Sequence, residues 1–180
     1  MFARTIGDGA ELRPFEPWQA AEFAEHAERV RKDIEEYIPW ARTVVDAESA
    51  RALLQSYADK QAEDSGRLYG IWVDGVLQGG TLFRVFDTAR GVCEAGVWLA
   101  REARGRGLVT AAVRVMIDWA VRERGMHRVE WLCAPENTAS AAVAERLGMT
   151  CEGVHRQAFV MDGEHRDVQV WAVLADEWTS

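Results

Sequence analysis

Three structural signals follow one another in residues 94–110, which read EAGVWLAREARGRGLVT. Residues 94–99 are typical of a strand, and a helix is predicted from Leu108, because the apolar residues recur at helical spacing. These apolar residues are Leu108, Ala111, Ala112, Val115, Met116 and Trp119. Between the two elements, Gly105 and Gly107 allow a tight turn that leaves backbone N–H groups unpaired at the positive end of a helix. This order of elements predicts a phosphate-binding site.

The charge near this turn and the absence of the usual nucleotide-binding motifs restrict the class of ligand that the turn is expected to bind. Three arginines surround it: Arg101, Arg104 and Arg106. A Walker A loop needs Gly-Lys-Ser/Thr, but the two lysines of the chain, Lys32 and Lys60, lie elsewhere. A dinucleotide fingerprint needs a third glycine where Thr110 stands. An isolated Gly-x-Gly is a weak signal, so an ordinary turn stays open beside the interpretation as a diphosphate site.

The segment after the turn predicts another strand and another helix. The strand is expected at residues 128–134, and the helix opens near residues 135–140 and ends at residues 147–149. With these elements the chain resembles the GCN5-related N-acetyltransferase (GNAT) superfamily, in its RimJ/RimL-like branch of ribosomal-protein N-terminal acetyltransferases. The matching motifs are GVWL at 96–99, RGRGL at 104–108, NTAS at 137–140, RLGM at 146–149, EG at 152–153 and DGEHRD at 162–167.

The remaining pattern predicts one α/β (α+β) domain over residues 1–180. Asp74-Gly75 and Asp162-Gly163 are hairpin signals, each between two strand-like segments. In the first third we expect a strand at Ala10–Phe15, a helix behind Pro17 and a helix capped by Asp46. The helix at about 107–124 joins two strands and implies that they are parallel. The resemblance implies a GNAT-type sheet, mixed and mostly antiparallel, with one splayed parallel strand pair and flanking helices.

The resemblance implies acetyl-CoA as the acyl donor. Gly96 is expected to form a β-bulge that opens a gap for the pantetheine arm, with a packing glycine as the alternative. An N–H near Val97 would stabilise the oxyanion. Asn137, whose residue type also suits a helix N-cap, is implied to contact the cofactor. The full set of implied cofactor-binding residues is Val97, Trp98, Leu99, Arg104, Gly105, Arg106, Gly107, Leu108, Val109, Thr110 and Asn137.

Two residues are predicted to act in catalysis. The resemblance implies that Ser140 protonates the departing CoA thiolate; a hydrogen-bonded serine in the first helical turn is the alternative. Glu94 is the first candidate for the general base, and His165 and Asp167 are rivals on the closing hairpin. An α-amine with a pKa of about 7.7–8.0 needs little base at neutral pH, whereas a lysine side chain near 10.4 needs much more. The site therefore favours an α-amine or another amine of low pKa.

The N-terminal third is expected to border the acceptor. Trp40 belongs to a Pro-Trp element that resembles one beside the acceptor site in relatives, and Tyr37, Trp72 and Arg84 are predicted to join it. The alternative is that the aromatic residues belong to the core or its rim.

Composition bounds the remaining possibilities. With 180 residues, eight Trp and 48% hydrophobic residues, the chain suits one folded domain. A net charge of −8 disfavours nucleic-acid binding and suits a cationic amine. No apolar run approaches a membrane span, the first residues do not resemble a signal peptide, and no residue cluster has metal-ligand spacing. We expect a cytoplasmic protein whose three cysteines, Cys93, Cys133 and Cys151, are buried thiols.

The sequence therefore predicts an N-acetyltransferase that moves the acetyl group of acetyl-CoA to a primary amine within a ternary complex. A protein N-terminal α-amine is the first choice of acceptor. Alternatives are a small-molecule N-acetyltransferase acting on an antibiotic or aminoacyl nucleotide, a succinyl-CoA enzyme, and a catalytically silent acyl-CoA sensor. Whether the chain forms a homodimer is left open.

Overall fold

The computed structural model describes residues 3–7 and 9–179. Met1 and Phe2 lie outside the described residues, and so does Ser180. The expectation that the first residues do not form a signal peptide therefore concerns residues that are in part not described, and Ser180 is the last residue of the expected domain. The strands are β1 (Arg4–Gly7), β2 (Ala10–Pro14), β3 (Arg67–Val73), β4 (Val76–Asp87), β5 (Val92–Leu99), β6 (Arg128–Cys133), β7 (Thr150–Met161) and β8 (Glu164–Leu174). The helices are α1 (Ala20–Ile34), α2 (Trp40–Thr43), α3 (Ala47–Ala62), α4 (Leu108–Asp118) and α5 (Thr138–Arg146).

All eight described strands join one sheet in the order β1-β2-β3-β4-β5-β6-β8-β7. Neighbouring strands are antiparallel except β5 and β6, which are parallel and are connected through α4. One core lies under α4 and α5, and a second lies under α1, α2 and α3 on the opposite face of the sheet. The predicted fold class, a mixed and mostly antiparallel sheet with one parallel pair and flanking helices, is confirmed.

Local sequence signals account for most element boundaries. Asp46 caps α3 as predicted, because its Oδ1 accepts a hydrogen bond of 2.8 Å from the backbone N–H of Ser49. In the β3–β4 hairpin, Asp74 and Gly75 have φ angles of 50° and 79°, the left-handed pair that a two-residue hairpin turn requires. The β7–β8 hairpin uses Asp162 and Gly163 in the same way.

Two structural expectations are wrong. The bulge expected at Gly96 is absent from β5: the register with β4 is continuous from Gly79–Phe83, and the irregularity lies on β4 between Phe83 and Val85. The extra residue there is Arg84, which gains an ion pair with Glu94. Cys151 is exposed, because it lies on β7 at the edge of the sheet, whereas the other two cysteines are buried.

The helix expected at about 107–124 is confirmed in extent. Its α-helical part ends at Asp118, and a π-helical turn, Trp119–Glu123, follows. Strand β1 was not predicted; it is a short, largely exposed edge strand that pairs with β2, so it carries little apolar pattern.

Two glycines of β4 allow a large side chain to lie against the strand. A Cβ atom at Gly80 would come within 2.2 Å of the Trp98 ring, and one at Gly79 within 2.4 Å of the Trp98 carbonyl oxygen. Any larger residue would displace β5 or its indole. Gly79 and Gly80 therefore fix the distance between β4 and the half of β5 that borders the site.

Candidate functional site

Strands β5 and β6 separate after four paired residues. Val92–Ala95 pairs with Arg128–Trp131, but Gly96–Leu99 has no register partner on β6. Over this stretch β5 is paired only with β4, while β6 continues beside β8. The result is a gap in the sheet bordered by one unpaired strand edge. An extended ligand with amide groups can pair with such an edge, so the gap fits a pantetheine arm.

Backbone direction decides which groups of β5 reach this gap. The N–H of Ala100 donates to the carbonyl of Gln78 on β4 (2.7 Å), so even-numbered residues of this stretch face β4. Because backbone groups of successive strand residues point to opposite edges, Val97 and Leu99 face the gap. Trp98, predicted with them, directs its backbone groups to β4, and its contribution to the site is its side chain.

The glycine turn lies at the end of this strand edge. Gly105 and Gly107 have φ angles of 79° and 74°, and a Cβ atom at either would meet no atom within 4 Å. Gly107 is the N-cap of α4, and the described residues provide no side-chain cap for its first turn. The first N–H groups of α4, at Leu108, Val109 and Thr110, are therefore directed outward without helical partners. Only the backbone of Leu108 is available to a ligand, since its side chain is buried.

This turn has the geometry and charge of an anion site. Arg104 precedes Gly105, Arg106 lies between the two glycines, and both arginines are exposed. Outward N–H groups, the positive end of α4 and these cations all favour a phosphate at the same place. The predicted cofactor residues at 104–110 follow β5 in the chain, and the chemistry of this turn fits a diphosphate.

Ser140 lies beside the point where the strands separate. The indole N–H of Trp131, the last residue of β6 paired to β5, donates to the Ser140 hydroxyl oxygen at 2.9 Å. Asn137 is the N-cap of α5, and its Oδ1 accepts from the backbone N–H of Ser140 at 3.1 Å. The alternative structural roles of Asn137 and Ser140 are therefore present, and they hold the Ser140 hydroxyl at the mouth of the gap.

Cys133 is a neighbour of Ser140 that the sequence did not connect with the site. It ends β6, is buried, and its Sγ lies 3.8 Å from Oε1 of Gln169 on β8. Burial raises the pKa of the Cys133 thiol, while a hydrogen bond with Ser140 acts in the opposite direction. A buried protonated thiol is a weak nucleophile, so Cys133 acts as packing around the Ser140 hydroxyl.

Glu94 and Arg84 form a pair on the opposite face of the sheet. Arg84 Nη2 lies 2.6 Å and 2.8 Å from the two carboxylate oxygens of Glu94. Side chains alternate along β5, so Glu94 shares the face of Trp98, whereas Ala95 and Trp131 face α4 and α5. Ser140 and Glu94 thus lie on opposite faces of the sheet, a relation that no motif in the sequence indicates.

Trp40 forms an aromatic wall with Trp98. Its ring centroid lies 5.2 Å from that of Trp98 in an edge-to-face arrangement and 5.2 Å from that of Phe23. Trp40 is partly exposed, so one side of this wall is open to a ligand. Trp72, in contrast, is only 2% exposed and donates to Glu22 at 2.8 Å. It lies in the core, which is the alternative stated for these aromatic residues.

Tyr37 lies where the α1–α2 loop approaches β8 and the start of α5. Its pKa is raised by burial and by Glu36, and Glu136 and Arg166 also act on it electrostatically. Arg42 of α2 forms an ion pair with Asp162 in the β7–β8 turn. The α1–α2 segment and the closing hairpin are thereby joined on one side of the gap. Glu136, Arg166 and the Arg42–Asp162 pair were missed because they are distant in sequence and belong to no motif.

The rival bases occupy less central positions. Asp167 is exposed and accepts from the backbone N–H of Gln157 at 2.9 Å, and His165 is exposed near the end of the hairpin. Within residues 3–7 and 9–179, no group of three or more His, Cys, Asp or Glu residues could hold a metal ion. Among the same residues, none of the helices combines the length and apolar character of a membrane span.

Comparison with known proteins agrees with this geometry. Residues 10–150 match the acetyltransferase (GNAT) domain family. The putative ribosomal N-acetyltransferase YdaF of Bacillus subtilis (strain 168) is 30% identical over 183 residues, covering 99% of this chain and 98% of the relative. The ribosomal-protein-serine acetyltransferase of Escherichia coli (strain K12) is 23% identical over 143 residues, covering 79% of this chain and 80% of the relative.

A solved structure shows the same fold. It is RimL, a ribosomal L7/L12 α-N-protein acetyltransferase in complex with coenzyme A, with a TM-score of 0.91 and 21% sequence identity. The match covers 97% of this chain and 99% of that protein.

Proposed function

The chain belongs to the acetyltransferase (GNAT) domain family and is an acyl-CoA-dependent N-acetyltransferase, and from this premise we propose that it acetylates a protein N-terminal α-amine by direct transfer. The single observation that carries the mechanism is the gap between β5 and β6, with a backbone N–H edge on one side and Ser140 at its mouth. We also propose that residues 1–180 act as one domain.

In this proposal the glycine turn binds the donor. The N–H groups at the start of α4 hold the diphosphate, with Arg104 and Arg106 adding charge. The edge formed by Val97 and Leu99 pairs with the pantetheine arm. The N–H of Val97 is the donor that meets the thioester oxygen, and it stabilises the negative charge that develops there during attack. Asn137 completes the cofactor side from the start of α5.

Ser140 supplies the proton for the leaving group. The amine nitrogen forms a bond to the acetyl carbon, the carbon–sulfur bond breaks, and the thiolate takes the hydroxyl proton of Ser140. Water carries the proton that the amine loses back to Ser140, so the serine ends the reaction as a neutral hydroxyl group. Trp131 is compatible with this role, because an indole N–H can only donate and so occupies a lone pair of the Ser140 oxygen and not its proton. The Ser140 hydroxyl also hydrogen-bonds the Cys133 thiol, and in this account it turns from that partner to the CoA thiolate. A positioned acid of this kind typically contributes about 10²–10⁴-fold in rate.

Glu94 is the base in this account, acting through water from the opposite face. Its carboxylate is held by Arg84, and Glu94 lies two residues before the gap begins at Gly96. The attacking amine must lose one proton, and an α-amine is already about 10–20% neutral at pH 7. A carboxylate acting through water is therefore sufficient for an α-amine and insufficient for a lysine side chain.

An acceptor with an N-terminal α-amine is supported by two kinds of observation. Two relatives are a putative ribosomal N-acetyltransferase and a ribosomal-protein-serine acetyltransferase. The aromatic wall of Trp40 and the polar group around Tyr37, with Glu136 and Arg166, leave an approach that suits a cationic amine followed by a peptide. Arg84 enters this account only as the partner of Glu94.

The test is release of the CoA thiol from acetyl-CoA with a panel of acceptors. The panel contains peptides with free N-termini, the same peptides with blocked N-termini, polyamines, aminoacyl nucleotides and antibiotic amines. We expect release that depends on a free peptide N-terminus. Thiol release with the small amines alone would show that the acceptor is a small molecule and not a protein N-terminus. Release with succinyl-CoA but not with acetyl-CoA would show that the acyl donor is succinyl-CoA. No release with any pair would leave an acyl-CoA sensor and overturn the proposal.

A further inference from the structure

A buried histidine contacts the back of the strand that borders the gap. His26 of α1 is 1% exposed, and the indole N–H of Trp98 donates to its Nε2 at 3.0 Å. His26 lies on the side of β5 away from α4 and α5, and the mechanism described above does not use it. It is also absent from every motif that identified the site.

The chemistry of the partners fixes the state of this ring. An indole nitrogen donates and never accepts, so Nε2 must carry a lone pair. Arg29 is also only a donor: its Nη2 donates to the Leu77 carbonyl and lies 3.0 Å from Nδ1. A second proton on the ring would remove the Trp98 hydrogen bond and place two cations side by side. The ring is therefore neutral and accepts a hydrogen bond at Nε2.

Trp98 connects this histidine to both sides of the gap. Its backbone lies between Val97 and Leu99, the residues whose polar groups face the gap. Its ring lies against Gly80 without space for a Cβ atom and packs edge-to-face against Trp40 at 5.2 Å. A rotation of the Trp98 ring would therefore move the strand edge and the aromatic wall together.

We propose that His26 is a positioning residue for acetyl transfer, which holds the Trp98 indole and thereby fixes the β5 edge and the Trp40 wall. The inference rests on the proposed function of that edge. It requires the Nε2 acceptor, because a residue that only fills space would leave the buried indole N–H unpaired, and an unpaired buried donor favours a shift of the ring.

The test combines four variants in the full chain. His26→Leu removes the acceptor, His26→Gln restores one through its amide oxygen, Trp98→Phe removes the donor, and the fourth variant joins His26→Leu with Trp98→Phe. His127→Leu, at an exposed histidine, is the control. For each variant we would measure kcat and KM for the peptide acceptor, Kd for CoA, the thermal midpoint, and the indole N–H resonances.

The expected result is a selective loss of turnover. His26→Leu lowers kcat about tenfold with CoA affinity changed less than about twofold, and His26→Gln recovers most of the loss. In the Trp98→Phe background, His26→Leu lowers kcat by less than about twofold, because the shared hydrogen bond is already gone. The Trp98 indole resonance moves upfield in His26→Leu and stays near its position in His26→Gln.

Other outcomes overturn the inference. Equal kcat in wild type and His26→Leu would remove the positioning role, as would a further tenfold loss in the Trp98→Phe background. If His26→Leu does not fold, the test depends on His26→Gln. A His26→Gln variant that loses the wild-type kcat and shifts the Trp98 indole resonance would contradict the positioning role of His26. A wild-type protein that transfers no acetyl group would instead overturn the proposed function, so the two failures are distinct.

Discussion

Trp131 donates its indole N–H to the hydroxyl oxygen of Ser140 across 2.9 Å, from the last residue of β6 that is still paired with β5. This hydrogen bond uses a lone pair of the hydroxyl oxygen and not its proton. It also holds the hydroxyl group near the point where the two parallel strands separate.

Removing this hydroxyl tests the acid role. Ser140→Ala should lower kcat by about 10²-fold, the usual contribution of a positioned acid, while Kd for acetyl-CoA changes little. The control is Thr138→Ala, which removes an exposed hydroxyl from the same turn of α5. Measurements belong under conditions where chemistry limits the rate. Equal kcat in Ser140→Ala and wild type would show that water, and not Ser140, protonates the departing CoA thiolate.

A comparison of two glutamates on adjacent strands distinguishes a specific general base from a general effect of negative charge. Glu94 and Glu130 are register partners on the same face, and each pairs with an arginine. Glu94→Gln should lower kcat/KM for an N-terminal peptide by about 10²-fold below pH 7, where the amine is mostly protonated. Glu130→Gln should change it little. Similar losses in both variants would contradict the base assignment.

Backbone conformation at the glycine turn gives a prediction for donor affinity. Gly107 has φ of 74° at the N-cap of α4, so Gly107→Val should distort the turn and raise Kd for CoA at least about tenfold. The control is Gly75→Val, because Gly75 has φ of 79° and equally open surroundings in the β3–β4 turn. Both should lose stability, but unchanged CoA affinity in a folded Gly107→Val would refute the phosphate assignment.

The neutral state of His26 gives a pH dependence of stability. Burial, with a smaller effect from Arg29, lowers the pKa of His26 from 6.5 to about 4. The unfolded chain therefore binds more protons than the folded chain between these values, so the free energy of unfolding falls as the pH falls from 6.5 towards 4. This pKa shift corresponds to about 3 kcal/mol in the free energy of unfolding. Glu102, which forms an ion pair with Arg29, is a further charged residue near His26.

A variant without this titration should have a flatter profile. Urea unfolding at pH 7 and pH 4.5 should show a smaller loss of stability in His26→Gln than in wild type. His127→Gln, at an exposed histidine, should match the wild-type loss. Parallel profiles for wild type and His26→Gln would show that the buried ring is not neutral in the folded protein.

Most of the fold was predictable because its signals are local. The Asp74-Gly75 turn, the Asp46 cap and the strand–turn–helix around Gly105 and Gly107 each depend on residues a few positions apart. The parallel pair follows from the connecting helix alone. The bulge was misplaced because a glycine in a strand permits an irregularity without requiring one, and here Arg84 of the neighbouring strand provides it.

The site was only partly predictable because its contacts are distant in sequence. Ser140 was named by a motif and Glu94 by its place on the strand that enters the site, but no sequence pattern indicates that Trp131 contacts one or that Arg84 binds the other. His26 and Trp98 are 72 positions apart, and their contact depends on how α1 packs on the sheet. Trp72 and Trp40 are similar as sequence features, and only packing shows that Trp72 is buried while Trp40 is partly exposed.

The most direct test of acetyl transfer to an α-amine is a competition within one peptide. The peptide carries one free N-terminal α-amine and one lysine side chain, and mass spectrometry locates the acetyl group after reaction with acetyl-CoA at pH 7. We predict acetylation of the α-amine, in an amount equal to the CoA thiol released, and none of the lysine. Acetylation of the lysine, or thiol release without an acetylated peptide, would contradict the account.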